Sequence, residues 1–192
     1  MPSLTPPTID QRLIALPDHG QLTLCTLSTP ARLPEGLVGQ LDEATRARLD
    51  TTRNERRRVE IATSRWLLAE SGVGGMVWHS LSHSDSHIAV AGSNDVDIGV
   101  DVENRLPRNR EAVADWLDWP DDSPDRHLQA WTLWEAWRKL ERGSVLDTPD
   151  DTYREVLRNL EGIQHQVTPI AGAWWFSMDL DGAWVSLSMR RP

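Results

Sequence analysis

The sequence predicts an α+β fold made of two similar lobes packed together, and three observations predict it. Helical spacing followed by strand-like alternation runs through residues 37–92, and the same succession returns over 97–189. Asp181-Gly182 is a hairpin turn pair, which implies antiparallel neighbours near the C-terminus. At 192 residues the chain is one large domain or two small ones, with length enough for a substantial core. The expected division is 1–95, carrying a basic helix and a Ser-His-Ser segment, and 96–192, carrying paired carboxylates and a Trp-Glu-Lys helix.

Residues 1–36 read as a leader containing one strand, Gln21–Leu27, which alternates polar and apolar positions. Leu37–Leu49 has helical spacing. Asn54–Glu70 reads as a strong helix, with Ile61, Leu67 and Leu68 apolar and its arginines gathered in the first half. The glycine-rich run from Ser71 to Gly75 stops it. Strands are expected at Met76–Ser82, His87–Ala91 and Ile98–Glu103. A short helix around Glu111–Trp116 and an acidic, proline-containing loop follow. His127–Arg142 is the second strong helix, ended by Gly143, and Tyr153–Leu160 a third. Strands at Ile163–Thr168, Trp174–Leu180 and Ala183–Met189 complete the chain.

Composition narrows the function. A net charge of −9 opposes general nucleic-acid binding, because neutralising phosphates needs a basic surface. The lone Cys25 excludes an internal disulfide and a thiolate metal cluster. No apolar run approaches membrane-spanning length. The N-terminus is broken by Pro2, Pro6 and Pro7 and lacks a basic-then-apolar signal pattern, so a cytoplasmic protein is expected. Ten tryptophans stand against one Phe and one Tyr, which makes Trp the main aromatic packing residue.

The chemistry gathers in two segments. In a strand, alternate residues share a face, so Asp101 and Glu103 project together while Ile98, Val100 and Val102 face the core. On the second strong helix Trp131, Glu135 and Lys139 recur at i, i+4 and i+8 and form one stripe. Alone, the first pattern is more often a charged outer face and the second a surface ion pair. Together, three carboxylates and a cation suit a hard divalent metal and a phosphate-bearing substrate. Ser80 to Ser84, including Ser82 and His83, lies at a strand end where hydroxyls and imidazole can bond phosphate or simply the local turn. The run Arg53 to Arg58, with Arg65, is an arginine patch suited to an anionic ligand and equally to a solvated face, offset by Glu55 and Glu60.

These segments resemble the 4′-phosphopantetheinyl transferases of the larger, surfactin-synthetase type. That family carries I/V-G-V/I-D-x-E and, downstream, W-x-x-K-E-A/S-x-x-K. Ile98-Gly99-Val100-Asp101-Val102-Glu103 matches the first, and Trp131, Glu135, Ala136 and Lys139 match the second. Ser82-His83-Ser84 and the arginine-rich helix match its upstream features, so the likeness runs from about Arg53 to Gly143.

The resemblance implies Mg²⁺-dependent transfer of the phosphopantetheine arm of coenzyme A to a serine of an apo acyl or peptidyl carrier protein. It implies that Asp101, Glu103 and Glu135 hold the metal, and that Glu135, directly or through a water, helps deprotonate the serine. It gives Lys139 the pyrophosphate charge, and Arg57, His83 and Ser82 the coenzyme A contacts. It further implies a monomer whose two α+β lobes pack as a pseudo-dimer around the active site. Arg105, Arg108 and Arg110 are the expected docking face for an acidic carrier. Two departures stand out. Trp134 replaces the family's first lysine, with Arg138 as a candidate substitute, and the loop Ser71–Met76 is shorter than its counterpart near the adenine. A non-catalytic binder of coenzyme A or a carrier and a metal-dependent pyrophosphate hydrolase are the alternatives.

Overall fold

Antiparallel pairing organises the whole molecule. The computed structural model describes residues 8–17, 20–104, 115 and 123–192. Apart from Asp115, the helix expected around Glu111–Trp116 lies outside the described residues, as do Arg105, Arg108 and Arg110.

The first sheet holds β1 (Asp10–Ala15), β2 (Gln21–Ser28), β3 (Trp78–His83) and β4 (His87–Ser93), in the order β1-β2-β4-β3. Between β2 and β3 run α1 (Glu43–Thr51) and α2 (Glu55–Glu70). Each begins on a side-chain cap: Asp42 accepts from the Thr45 amide, and Asn54 from the Arg57 amide. Gly72, at φ 73°, turns the chain out of α2. β5 (Asp97–Glu103) opens the second sheet, ordered β5-β8-β7-β6. Its other members are β6 (Thr168–Ile170), β7 (Ala173–Leu180) and β8 (Ala183–Arg190), and the helices α3 (Pro124–Leu140), α4 (Asp151–Leu157) and α5 (Leu160–Ile163) lie between β5 and β6. The β7–β8 hairpin turns on Asp181 and Gly182, both at positive φ (40° and 88°), as a two-residue hairpin loop requires.

The two sheets share a connectivity. In one, β2, helices, β3 and β4 pair as β2-β4-β3; in the other, β5, helices, β7 and β8 pair as β5-β8-β7. Side-chain alternation sets three cores. Leu22, Leu24, Ala89 and Ala91 of the first sheet pack against Ile98, Val100, Val102, Val185, Leu187 and Met189 of the second. The opposite face of the first sheet, with Cys25, Leu27, Ile88 and Val90, receives Ile61, Ala62, Trp66 and Leu67 of α2. The outer part of the second sheet, with Ile170, Ala173 and Trp175, is covered by the Trp131, Trp134 and Trp137 side of α3 and by Tyr153 and Val156 of α4. The order of layers is therefore helices, sheet, sheet, helices. Trp175 is fully buried on the face under α3, while its neighbour Trp174 is half-buried beneath Arg191 against the core between the sheets, the two-face split that a strand imposes.

Several boundaries differ from the sequence reading. β1 lies inside the supposed leader; its outward residues Asp10, Gln11 and Arg12 are polar and only Ile14 is buried, so its pattern is weak. The strand expected at Ile163–Thr168 is not one. Ile163 ends α5 with its side chain in the core, Gln164 makes a single bridge to Ser177, His165 takes positive φ, and the ladder with β7 begins at Thr168. The third helix divides at Arg158 and Asn159 into α4 and α5. No helix among the described residues is long and apolar enough to cross a membrane.

Candidate metal centre

The site begins with a close approach. A Cβ at Gly99 would stand 1.9 Å from the Ala136 carbonyl oxygen and 2.8 Å from the Leu140 amide, so only glycine lets α3 lie this near to β5. Pro124 opens α3 at its first turn, where its missing N–H costs nothing. With the helix seated, its Trp131–Glu135–Lys139 stripe meets the outward face of β5. Asp101, Glu103 and Glu135 then bring one carboxylate oxygen each to within 4.8 Å of one another, a group that could hold a metal ion.

Asp101 is the buried centre, 1 % exposed. Its Oδ1 accepts from Ser82 Oγ at 2.7 Å and from Lys139 Nζ at 2.7 Å. Its Oδ2 is buried without a hydrogen-bond partner among the described residues. Lys139 donates also to Ser82 Oγ (2.9 Å) and to the Val100 carbonyl (3.1 Å), so its three N–H groups have three acceptors. Burial first, and the charge of Asp101 second, push Glu135 up to about 7, against the opposing pull of Lys139 and a hydrogen bond with the Trp131 side chain. Crowded carboxylates with an orphaned oxygen are what a divalent cation relieves, and an all-oxygen donor set fits a hard ion.

β3 divides its two candidates between two faces. Ser82 turns toward β5 and Asp101; His83 turns toward α2, where its Nε2 lies 2.6 Å from Arg57 Nη1. Arg57 also donates to Glu60 at 2.9 Å, and Arg56 pairs with Glu60 and Asp85. Burial lowers the pKa of His83; the charges of Arg57 and Lys139 add to this, while Glu60 opposes it. Neutral His83 can therefore accept from Arg57. The reach of Lys139 to His83 puts the basic cluster and the carboxylates in one electrostatic neighbourhood.

Trp134 and Arg138 face elsewhere. The Trp134 ring is fully buried against Tyr153 (centroids 4.8 Å), and its Nε1 donates to the Val145 carbonyl at 3.0 Å. Arg138 lies over that ring, bound to Ser144 O and Asp147, and so does not take the place of a lysine beside the carboxylates.

No protein-family model matches the chain, and no curated protein matches it.

One contributor escaped the sequence: the Val100 carbonyl acts through the backbone, which no motif records. The register that sets Ser186 directly opposite Asp101 was equally hidden, because it depends on β5 pairing with the last strand.

Proposed function

We propose that this chain is a 4′-phosphopantetheinyl transferase. It moves the phosphopantetheine arm of coenzyme A to a serine hydroxyl of an apo carrier protein and releases adenosine 3′,5′-bisphosphate. The observation that carries the reading is the convergence of Asp101, Glu103 and Glu135 with Lys139, from a strand and a helix held together by Gly99. The shared connectivity of the two sheets supports the further reading of two related lobes packed as a pseudo-dimer.

In this function Asp101, Glu103 and Glu135 hold Mg²⁺, which when bound neutralises charge on the coenzyme A pyrophosphate. Glu135, directly or through a water, accepts the proton of the incoming serine hydroxyl. The serine oxygen bonds to the phosphorus carrying the pantetheine arm as the bond from that phosphorus to the bridging oxygen breaks. Lys139 exchanges one of its present acceptors for a phosphate oxygen and stabilises the departing bisphosphate. Arg57, with neutral His83 beside it, supplies the fork for a coenzyme A phosphate, which takes the place Glu60 now holds. Ser82 contributes by fixing Asp101 and Lys139.

One observation favours a second reading, a weakened or inactive relative that binds coenzyme A or a carrier. The family's first lysine is here a core tryptophan, and Arg138 is engaged with Asp147. Intact-mass spectrometry of an apo carrier incubated with the protein, coenzyme A and Mg²⁺ separates the two. A phosphopantetheine-sized mass gain, absent with Glu135→Ala, is the expected result. Calorimetric coenzyme A binding with no gain on any carrier would establish the binder instead, and free phosphopantetheine released without carrier would establish a hydrolase.

A further inference from the structure

The face of the second sheet beneath α3 is unusually polar for a buried surface. Ser177, Ser186 and Ser188 are all fully buried there. Ser177 is bound by Gln129 Nε2 at 2.6 Å. Ser186 and Ser188 have hydroxyls without a hydrogen-bond partner among the described residues. An unpaired buried hydroxyl costs about 1–3 kcal/mol, and alanine would let α3 approach as closely. Small size suits Ser188, which stands opposite Gly99, but explains the oxygen of neither serine.

Ser186 has a neighbour that Ser188 lacks. It pairs directly with Asp101, and paired residues of antiparallel strands project to the same face with Cβ atoms about 4.5–5.5 Å apart. Asp101 Oδ2 is itself buried and unpartnered. Two orphaned polar atoms thus sit side by side on adjacent strands, beyond direct hydrogen-bond reach of each other. A water molecule between them would give each a partner.

We propose that Ser186 is a positioning residue of the metal centre, its hydroxyl holding through a bound water the Asp101 carboxylate in the orientation that receives a divalent cation. The proposal rests on the reading of Asp101, Glu103 and Glu135 as a cation site and is independent of which reaction the protein catalyses. Asp101 Oδ1 is then held by Ser82 and Lys139, while Oδ2 takes one bond from the water on Ser186 and keeps its other lone pair for the cation. Partners of this kind, which orient a ligand without touching the ion, typically govern metal affinity by about 10- to 100-fold.

The test is Mn²⁺ titration of the full chain, followed by the electron paramagnetic resonance signal of free Mn²⁺, with no substrate present. Ser186→Ala is expected to raise the Kd for Mn²⁺ by about 10- to 100-fold. Ser186→Cys, which restores the volume with a weak hydrogen-bonding group, is expected to show a comparable loss. Ser188→Ala, the same change one pair along the strand, is expected to leave the Kd within about twofold. Circular-dichroism melting of the three variants checks that each is folded. Wild-type affinity in Ser186→Ala, equal losses in Ser186→Ala and Ser188→Ala, or full recovery in Ser186→Cys would overturn the role of Ser186. Absence of Mn²⁺ binding by the wild-type chain would overturn the cation site itself.

Discussion

At the scale of single residues, Glu135 carries the most unusual free energy. Its folded pKa of about 7 stands above an ordinary 4.5, so the stability linked to it is complete below about pH 4.5 and is lost as pH rises through about 7. Unfolding of the metal-free protein should become easier across that window by about 3 kcal/mol, and Glu135→Gln should remove most of the loss. Urea denaturation at the two ends of the window measures both. Divalent binding should show the complementary dependence. Below pH 7 the proton on Glu135 must leave as the ion enters, so the Kd for Mg²⁺ or Mn²⁺ should rise about tenfold per unit of acidification, and level off above. A flat pH profile would place the ionisation elsewhere. Trp134 offers a second residue-scale prediction. Trp134→Lys, which would complete the motif of the transferases the chain resembles, should cost about 4 kcal/mol or more, because it exchanges a packed ring for a buried ammonium. The denaturation midpoint reads it out. Strand and helix periods put Asp101 with Glu103 and Glu135 with Lys139 on shared faces, but not the two pairs together; that meeting rests on the seat of α3 on Gly99. Ser82 was legible only as a polar strand end. Its bond to Asp101 spans two sheets, and no local pattern encodes that.

At the scale of elements, the decisive contact is the one between α3 and β5. Gly99→Ala would force a methyl group into the Ala136 carbonyl, where the helix backbone cannot yield as a flexible side chain could. Overpacking of this kind costs about 1–3 kcal/mol or more. For a chain of this size a melting temperature lower by roughly 5–10 °C is the expected outcome. The same variant should bind Mn²⁺ more weakly, since Glu135 moves with the helix while Asp101 and Glu103 stay with the strand. Unchanged affinity beside a lowered melting temperature would mean that the helix recovers its seat. Helices α2 and α3 and strands β2, β4, β5, β7 and β8 were readable, for each has a clear period and a cap or turn at an end. β1 and β6 were not. β1 exposes most of its side chains, and β6 has three residues with Pro169 in the middle, so neither repeats long enough to show alternation.

At the scale of the whole molecule, the two sheets do not stand apart. The boundary after residue 95 falls between β4 and β5, yet the largest apolar cluster draws Leu22, Leu24, Ala89 and Ala91 from one side and Ile98, Val100 and Val102 from the other. A fragment ending at residue 95 would expose that surface to water. It should fail to fold alone, giving collapsed amide chemical-shift dispersion, and should recover structure when the remaining chain is supplied. A well-dispersed spectrum from the isolated fragment would show the halves to be autonomous. This shared core was not legible, because each strand announces which of its faces is apolar but not which sheet that face will meet.

The junction of β3 with β5 has a consequence for how the molecule keeps to itself. β5 ends its sheet, and an unpaired strand edge invites another chain to extend it. Here the outward backbone groups of Val100 are already taken: its N–H donates to Ser80 Oγ at 3.1 Å and its carbonyl accepts from Lys139. Two side chains stand where a foreign strand would bind, so the edge that carries the carboxylates is sealed against templated aggregation.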